Sequence, residues 1–99
     1  MFSNKVLRLV KQIPKGKVTT YKEIGKALHK KGRVYMAVGR ALHENKSLVK
    51  IPCHRVVCSD GSIGGYSHGI KRKIALLKRE GIEIKGNKIL SFERSLFRF

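Results

Sequence analysis

Apolar residues recur at helical spacing in three stretches of the first half of the chain. Ser3 is a residue type that caps helices and is predicted to begin the first one, which ends in a turn at residues 14–17. Thr20-Tyr21-Lys22-Glu23 has the form of a capping box and predicts the start of a second helix. A third helix is predicted over residues 34–44. The side chains expected in the core are Val6, Leu7, Val10 and Ile13 of the first helix, Ile24, Ala27 and Leu28 of the second, and Val34, Ala37, Val38, Ala41 and Leu42 of the third.

A short basic turn that contains Gly32 joins the second and third predicted helices. Two short helices with such a turn are typical of a helix-turn-helix, although an ordinary pair of antiparallel helices fits the spacing equally well. If the first interpretation holds, residues of the third helix that lie off its apolar face would meet DNA. These are Tyr35, Met36, Gly39, Arg40 and His43.

The second half of the chain combines one more helix with short strands. Residues 82–91 read as a hairpin around Gly86-Asn87, and the amphipathic residues 92–99 are expected to pack on the core. A helix is predicted over residues 70–80 and ends at a glycine, with Ile70, Ile74 and Leu77 inward and Lys71, Arg72, Lys73, Lys78 and Arg79 outward. The predicted fold is therefore mainly α with a small β component. It is a single winged-helix-like domain over residues 1–99, with a helix-turn-helix, short strands and a C-terminal hairpin.

Charge is the strongest global feature of this sequence. Twenty-three Lys and Arg residues stand against 6 Asp and Glu residues, which gives a formal charge of +17 at pH 7. Such an excess favours a polyanionic partner, nucleic acid above all, although a basic proteome or a hot habitat would also raise the lysine content. There is no apolar run long enough to span a membrane and no signal-peptide pattern, so we expect a cytoplasmic protein.

The most reactive side chains fall together in Ile51-Pro52-Cys53-His54-Arg55-Val56-Val57-Cys58. Pro52 restricts its own φ and favours an extended residue before it, so Cys53 should follow a stiff segment. A neighbouring base or cation favours the thiolate, so this order indicates a nucleophile at a dry pocket; a cysteine that merely fills the core is the alternative. Cys53 and Cys58 are expected to be free thiols, because their spacing is not typical of zinc sites and a disulfide would close only a small loop. No metal is predicted.

With these motifs the chain resembles the O6-alkylguanine–DNA alkyltransferases, also called methylated-DNA–protein-cysteine methyltransferases. The resemblance covers nearly the whole chain. It implies a DNA repair enzyme that flips an O6-alkylated guanine out of duplex DNA and takes the alkyl group irreversibly onto a cysteine, once per molecule and without a cofactor. The implied partner is double-stranded DNA containing alkylated guanine; we expect a monomer, and any protein partner is unidentified. The matching motifs are Pro52-Cys53-His54-Arg55-Val56, Thr20-Tyr21, Ala37-Val38-Gly39 followed by Asn45, Gly64-Gly65-Tyr66-Ser67, and residues 76–81.

The resemblance also implies roles for individual residues. Cys53 would be the acceptor, His54 the base that generates its thiolate through a water, and Glu80 the acid that holds the imidazole. Asn45 would order the segment before the acceptor, and Tyr21 would donate a proton toward the leaving guanine. The DNA-binding residues would be Thr20, Arg33, Tyr35, Met36, Ala37, Gly39 and Arg40, and the substrate pocket would comprise Gly64, Gly65, Tyr66, Ser67 and Arg55, the last fixing the loop.

Two features depart from the family's pattern. Its members usually carry an N-terminal domain, and in length this chain is similar to the alkyltransferase-like proteins, which bind alkylated DNA but lack the cysteine. Met36 stands where the family has an arginine that enters the base stack; a methionine can wedge there apolarly, and Arg33 and Arg40 lie close enough to compensate in part. A non-catalytic lesion sensor is therefore the alternative function, and a basic helix-turn-helix regulator whose thiols sense oxidation is a third.

Overall fold

Five α-helices, a short 3-10 helix and two pairs of short strands make up the fold in the computed structural model, which describes residues 2–28, 34–43, 51–66 and 68–99. The predicted class, mainly α with a small β component, is confirmed. Within the described residues, no helix has both the length and the apolar character needed to cross a membrane. In chain order the elements are α1 (Phe2–Lys11), β1 (Thr19–Thr20), α2 (Tyr21–Ala27), α3 (Val34–His43), the 3-10 helix (Cys53–Arg55), β2 (Val56–Val57), α4 (Ile70–Arg79), β3 (Ile84–Lys85), β4 (Lys88–Ile89) and α5 (Phe92–Ser95).

The first three helices pack around one apolar cluster, with both α1 and α2 against α3. Thr20 is extended, and its Oγ1 accepts a hydrogen bond of 3.0 Å from the Glu23 N–H, which confirms the predicted cap of α2. The predicted cap of α1 is wrong, because that helix begins at Phe2 and already contains Ser3. Ala37 was predicted in the core and is exposed, because it lies roughly a quarter-turn from the centre of the buried face of α3. The buried members of this cluster are Val6, Val10, Ile13, Ile24, Val38, Ala41, Leu42, Cys53 and Val56.

Two short parallel strands join the first cluster to the second half of the chain. β1 pairs with β2 in the register Thr19 to Val56 and Thr20 to Val57. Because successive side chains of a strand point to opposite faces, Val56 enters the first cluster and Val57 the second. Tyr21 follows β1 and Cys58 follows β2, so the two parallel strands deliver these residues to the same edge.

The C-terminal residues complete this small sheet region. The Phe97 N–H donates to the Val18 carbonyl at 2.7 Å, and the Thr19 hydroxyl donates to the Phe97 carbonyl at 2.9 Å. The Phe97 ring packs against the first cluster and the Phe92 ring against the second. The prediction that the amphipathic tail packs on the core is therefore confirmed.

Helix α4 and the hairpin β3–β4 cover the second apolar cluster. The antiparallel hairpin turns at Gly86 (φ 63°), and α4 is followed by Gly81 (φ 90°), as predicted for both glycines. Two predictions for α4 are wrong: Ile70, at its first residue, is 39% exposed, and Lys73 is completely buried. The buried apolar members of the cluster are Val18, Val57, Ile63, Leu77, Ile82 and Ile89.

Candidate active site

The backbone around Pro52 sets the position of Cys53. Pro52 has φ −78° and ψ 69°, and the Cys53 N–H donates to the Ile51 carbonyl at 2.8 Å, which is an inverse γ-turn. The 3-10 helix starts directly after it. Cys53 is 5% exposed, and its thiol donates to the Leu42 carbonyl of α3 across 3.8 Å. The stiff segment that Pro52 predicts before Cys53 is therefore present, and it places the thiol next to α3.

Cys53 is one of the residues that line a cavity of about 300 Å³. Its size is at the lower end of the range for small-molecule sites. Its walls come from α2, α3, the 3-10 helix and the loop that contains Gly64, Gly65 and Tyr66. The lining residues are Tyr21, Gly39, Leu42, His43, Cys53, Gly65 and Tyr66. A cysteine that acts as a nucleophile needs a cavity through which a substrate can reach it, whereas a cysteine that only fills the core does not.

Behind the thiol, His54 and Arg55 share the carboxylate of Glu80. The His54 Nε2 lies 3.0 Å from Glu80 Oε2, while Arg55 donates to Oε1 at 2.9 Å from Nε and to Oε2 at 2.6 Å from Nη2. The third Arg55 contact is a hydrogen bond of 2.7 Å from Nη1 to the Ile13 carbonyl. The loop carrying Cys53 is thereby tied to the end of α4 and to the segment after α1.

Burial and the shared hydrogen bonds together set the protonation states of Glu80 and His54. Burial acts to raise the pKa of Glu80, but hydrogen bonds from Arg55 and His54 outweigh it and leave this pKa below its usual value. Burial lowers the pKa of His54, and the bond to Glu80 only partly offsets that effect. At neutral pH the site therefore holds an ionised Glu80 and a neutral His54. Since Nε2–H donates to the carboxylate, the imidazole keeps its lone pair on Nδ1, which is buried and has no hydrogen-bond partner among the described residues.

The loop after Cys58 packs closely against the same edge. Gly64 has φ +73°, and a Cβ built on it would lie 3.2 Å from Cys58 Sγ, 3.6 Å from the Tyr21 hydroxyl oxygen and 3.7 Å from Lys73 Nζ. These three side chains therefore converge behind one glycine. Burial raises the pKa of Tyr21, and the neighbouring thiols add to that effect, so its phenol stays protonated at neutral pH.

Gly64→Ala is expected to lower the free energy of unfolding by about 1–3 kcal/mol, because it adds positive-φ strain and a tight contact with Cys58 Sγ. Chemical denaturation measures the change. Gly65→Ala is the matched control: a Cβ built there meets nothing within 4 Å, so a change within about 0.5 kcal/mol is expected. Equal stability of the two variants would contradict the packing described for Gly64.

The structure brings seven of the residues singled out in the sequence together at one site. Cys53, Tyr21, Gly39, Gly65 and Tyr66 line the cavity, and His54 and Glu80 lie behind it. Arg55 was grouped with the pocket, but it is not a lining residue, and its guanidinium serves Glu80 and Ile13 instead. Thr20 is buried with its hydroxyl in the α2 cap, Gly64 lies behind the wall, and Ala37 and Arg40 are exposed on α3. The remaining predicted residues fall outside the description: Arg33, Asn45 and Ser67 entirely, and Tyr35 and Met36 as side chains.

Three further residues belong to the site. Leu42 and His43 line the cavity, although the spacing assigned Leu42 to the core and His43 to the DNA-facing side of the helix. Lys73 is buried beneath the loop and donates to the carbonyls of Val56 at 2.6 Å and Gly65 at 3.0 Å. No disulfide links Cys53 to Cys58. The described residues contain no group of three His, Cys, Asp or Glu side chains that could hold a metal ion.

Comparison with known proteins places the chain in a family. Residues 1–82 match the family model described as 6-O-methylguanine DNA methyltransferase, DNA binding domain. A methylated-DNA–protein-cysteine methyltransferase from Saccharolobus solfataricus is 51% identical over 83 residues, which are 84% of this chain and 52% of that protein. The chain thus spans about half the length of the curated relatives it matches.

Solved structures agree with this assignment. S. pombe Atl1, in complex with damaged DNA containing O6-carboxymethylguanine, superposes with a TM-score of 0.85 at 32% identity, over 98% of this chain and 94% of that one. The O6-methylguanine-DNA methyltransferase of Pyrococcus kodakaraensis gives a TM-score of 0.72 at 43% identity, over 82% of this chain and 46% of that one. The resemblance seen in the sequence is therefore confirmed, and the chain belongs to the family of the 6-O-methylguanine DNA methyltransferase DNA-binding domain.

Proposed function

We propose that this chain repairs DNA by binding duplexes that contain O6-alkylated guanine and accepting the alkyl group on Cys53. One observation carries the proposal: Cys53 lines a cavity of about 300 Å³ and is followed by a histidine and an arginine that both bind an ionised glutamate. A base inside a duplex is out of reach of such a cavity, so the guanine has to be flipped out of the stack.

The first step is removal of the thiol proton. Free cysteine is only a few per cent thiolate at neutral pH, so a base is needed. Neutral His54 can accept the proton on Nδ1, directly or through a water, because its Nε2–H is committed to Glu80. The imidazolium that forms is stabilised by the carboxylate 3.0 Å away. Arg55 keeps that carboxylate ionised and in place.

In the transfer step the thiolate attacks the alkyl carbon. A bond forms between Sγ and that carbon, and the bond from the carbon to guanine O6 breaks with its electron pair going to the base. The leaving guanine then needs a proton, and Tyr21 is the cavity residue suited to supply it, since its phenol stays protonated at neutral pH. The product is a neutral thioether, for which water is not a ready nucleophile. Each molecule is therefore consumed in one turnover.

The surface of α3 and the net charge support DNA as the partner. Ala37, Arg40 and His43 are exposed on α3, and Gly39 of the same helix lines the cavity. α3 therefore reaches from the surface to the site where a flipped base would lie. A formal charge of +17 supplies the phosphate attraction that dominates affinity for nucleic acids. Atl1, which this fold matches, was solved with damaged DNA.

Intact-mass spectrometry tests the proposal directly. After incubation with duplex DNA containing O6-methylguanine, the protein is expected to gain the mass of one methyl group in place of one hydrogen, with the modification on the peptide containing Cys53. Cys58→Ser is the matched control and should gain the same mass, because the second thiol does not line the cavity. An unmodified wild-type protein at full occupancy of the DNA would refute transfer.

A second candidate function is lesion binding without transfer. Its specific support is the match over 94% of S. pombe Atl1, against about half of the curated methyltransferases. In that case the protein would flip the base and mark it for another repair pathway. Tight binding to alkylated DNA together with an unchanged mass would identify it. The cysteine at the cavity favours transfer.

A further inference from the structure

A buried lysine lies beneath the candidate active site. It was predicted to face outward from its helix, and it has no role in the proposed steps. Lys73 belongs to α4, is completely buried, and donates hydrogen bonds to the carbonyls of Val56 and Gly65. Val56 directly follows the 3-10 helix of Cys53, and Gly65 lines the same cavity as Cys53. One ammonium group therefore ties the nucleophile's strand to the loop that faces it.

We propose that Lys73 is a positioning residue for the reaction at Cys53: it fixes the Gly65 wall relative to the thiol and holds a positive charge behind the thiolate. This inference rests on the proposed function for its link to alkyl transfer. Its effect on the thiol, however, is a property of the free protein and is measured without DNA.

The first argument is the missing counter-ion. Burying an ammonium is costly unless it is paired, and in the described part of the chain no carboxylate lies within ion-pair distance of Lys73 Nζ. Carbonyl oxygens satisfy its hydrogen bonds but carry no net charge. The titratable groups that face it are Cys53 and His54 of the 3-10 helix, Cys58 after β2, and Tyr21 of α2. Among these a thiolate is the readiest source of negative charge at neutral pH.

The second argument concerns the cavity wall. Gly64 and Gly65 have no side chains, so between Ile63 and Tyr66, which pack on the two apolar clusters, the loop can be anchored only through its backbone. The hydrogen bond from Lys73 to the Gly65 carbonyl supplies that anchor at 3.0 Å. Loss of the donor would let the wall move away from the thiol, even with the rest of α4 intact.

The electrostatic environment of Lys73 agrees with this role. Burial lowers the pKa of Lys73 to about 8, and the two thiols act to raise it. The side chain is therefore still mainly charged at pH 7 but sensitive to its neighbours. A cation that is stabilised by a nearby thiolate stabilises that thiolate in return.

Lys73→Met tests the proposal, because methionine keeps the apolar stem and removes the charge and the donors. The first readout is the pKa of the Cys53 thiol, from the pH dependence of its alkylation by iodoacetamide in a Cys58→Ser background. We expect this pKa to rise by about one unit, equivalent to a tenfold loss of thiolate. Lys78→Met removes an exposed lysine of the same helix and should leave the thiol unchanged. Lys73→Arg keeps the charge and should raise the pKa less than methionine does.

The second readout separates chemistry from binding. With O6-methylguanine DNA at saturation, Lys73→Met should transfer at least about tenfold more slowly, while its affinity for the DNA changes by less than about twofold. Far-ultraviolet circular dichroism confirms that each variant is folded. A thiol pKa and a saturated rate equal to those of Lys78→Met would overturn the role of Lys73. Absence of transfer from every variant, with the thiol pKa still raised in Lys73→Met, would overturn the proposed function and leave this inference standing.

Discussion

Cys53→Ala is expected to abolish alkyl transfer and to leave binding to alkylated DNA nearly intact. The substitution removes the acceptor atom, so no mass should be gained at any incubation time. Cys53 is only one of the residues that line the cavity, and under the proposed function the affinity for DNA would come mainly from the attraction between phosphates and this basic chain. We therefore expect the dissociation constant to change by less than about threefold, well under the 1.4 kcal/mol of a tenfold effect. Fluorescence anisotropy with labelled lesion DNA measures it.

The comparison of this variant with the wild type on undamaged DNA supplies the control. Both proteins should bind the undamaged duplex more weakly than the lesion, since only the lesion offers a base to the cavity. If Cys53→Ala still gained mass, another residue would be the acceptor. If it lost affinity for damaged and undamaged DNA alike, the thiol would be needed for the fold and not specifically for binding the lesion.

Glu80→Gln is expected to cost both activity and stability. The carboxylate binds His54 and Arg55 at once, and its side chain is only 11% exposed. A neutral amide can neither stabilise the imidazolium nor balance the arginine. We expect the transfer rate to fall by about 100-fold, the size typical of a lost acid–base partner, and the free energy of unfolding by about 2–3 kcal/mol. Single-turnover kinetics and urea denaturation give the two values.

The pH dependence of stability offers a sharper test of the same contact. The pKa of Glu80 is lowered in the fold, so its ionised form contributes stability above its ordinary value of 4.5, and this is lost as the pH falls through the folded value. The pKa of His54 is also lowered, so its neutral form favours the folded state above 6.5, and this is lost on acidification below 6.5. The wild type should therefore lose stability from about pH 6.5 downwards, and Glu80→Gln should lose less of it below pH 4.5. Glu93→Gln, at a side chain that is 80% exposed, should follow the wild type. Parallel curves for all three proteins would contradict the charged state assigned to Glu80.

Local signals in the sequence were enough to predict most of the helices and the stiff segment before Cys53. The capping box at Thr20, the glycine after α4 and the proline before Cys53 each depend on neighbours within a few residues, and each has its predicted effect. The pairing of β1 with β2 could not be predicted in this way. It joins residues 37 positions apart in two-residue strands, and nothing in either stretch identifies the other as its partner.

The wrong prediction for Lys73 has a more specific cause. Ile70, Lys73, Ile74 and Leu77 stand at the i, i+3, i+4 and i+7 positions of one helical face, so geometry turns the lysine inward. Its charge led to the prediction that the side chain faces solvent, because lysine is almost never fully buried without a partner. The partners are carbonyl groups of a loop and a strand, and backbone acceptors leave no trace in the sequence. Where charge and helical phase disagree, as they do here, the position itself is a candidate functional site.

The hydrogen bonds between the start of β1 and the C-terminal residues have a consequence for biosynthesis. They join residues 77 and 78 positions apart, from Lys17 to Arg94 and from Thr19 to Phe97. Contacts of such long sequence separation form late, because a large loop must close first. While the ribosome still holds residues 94–97, β1 lacks this neighbour and the aromatic ring that covers the first cluster. Helices α1 to α3 can associate during translation, but the nascent chain can reach its final form only after residues 94–97 have left the ribosome.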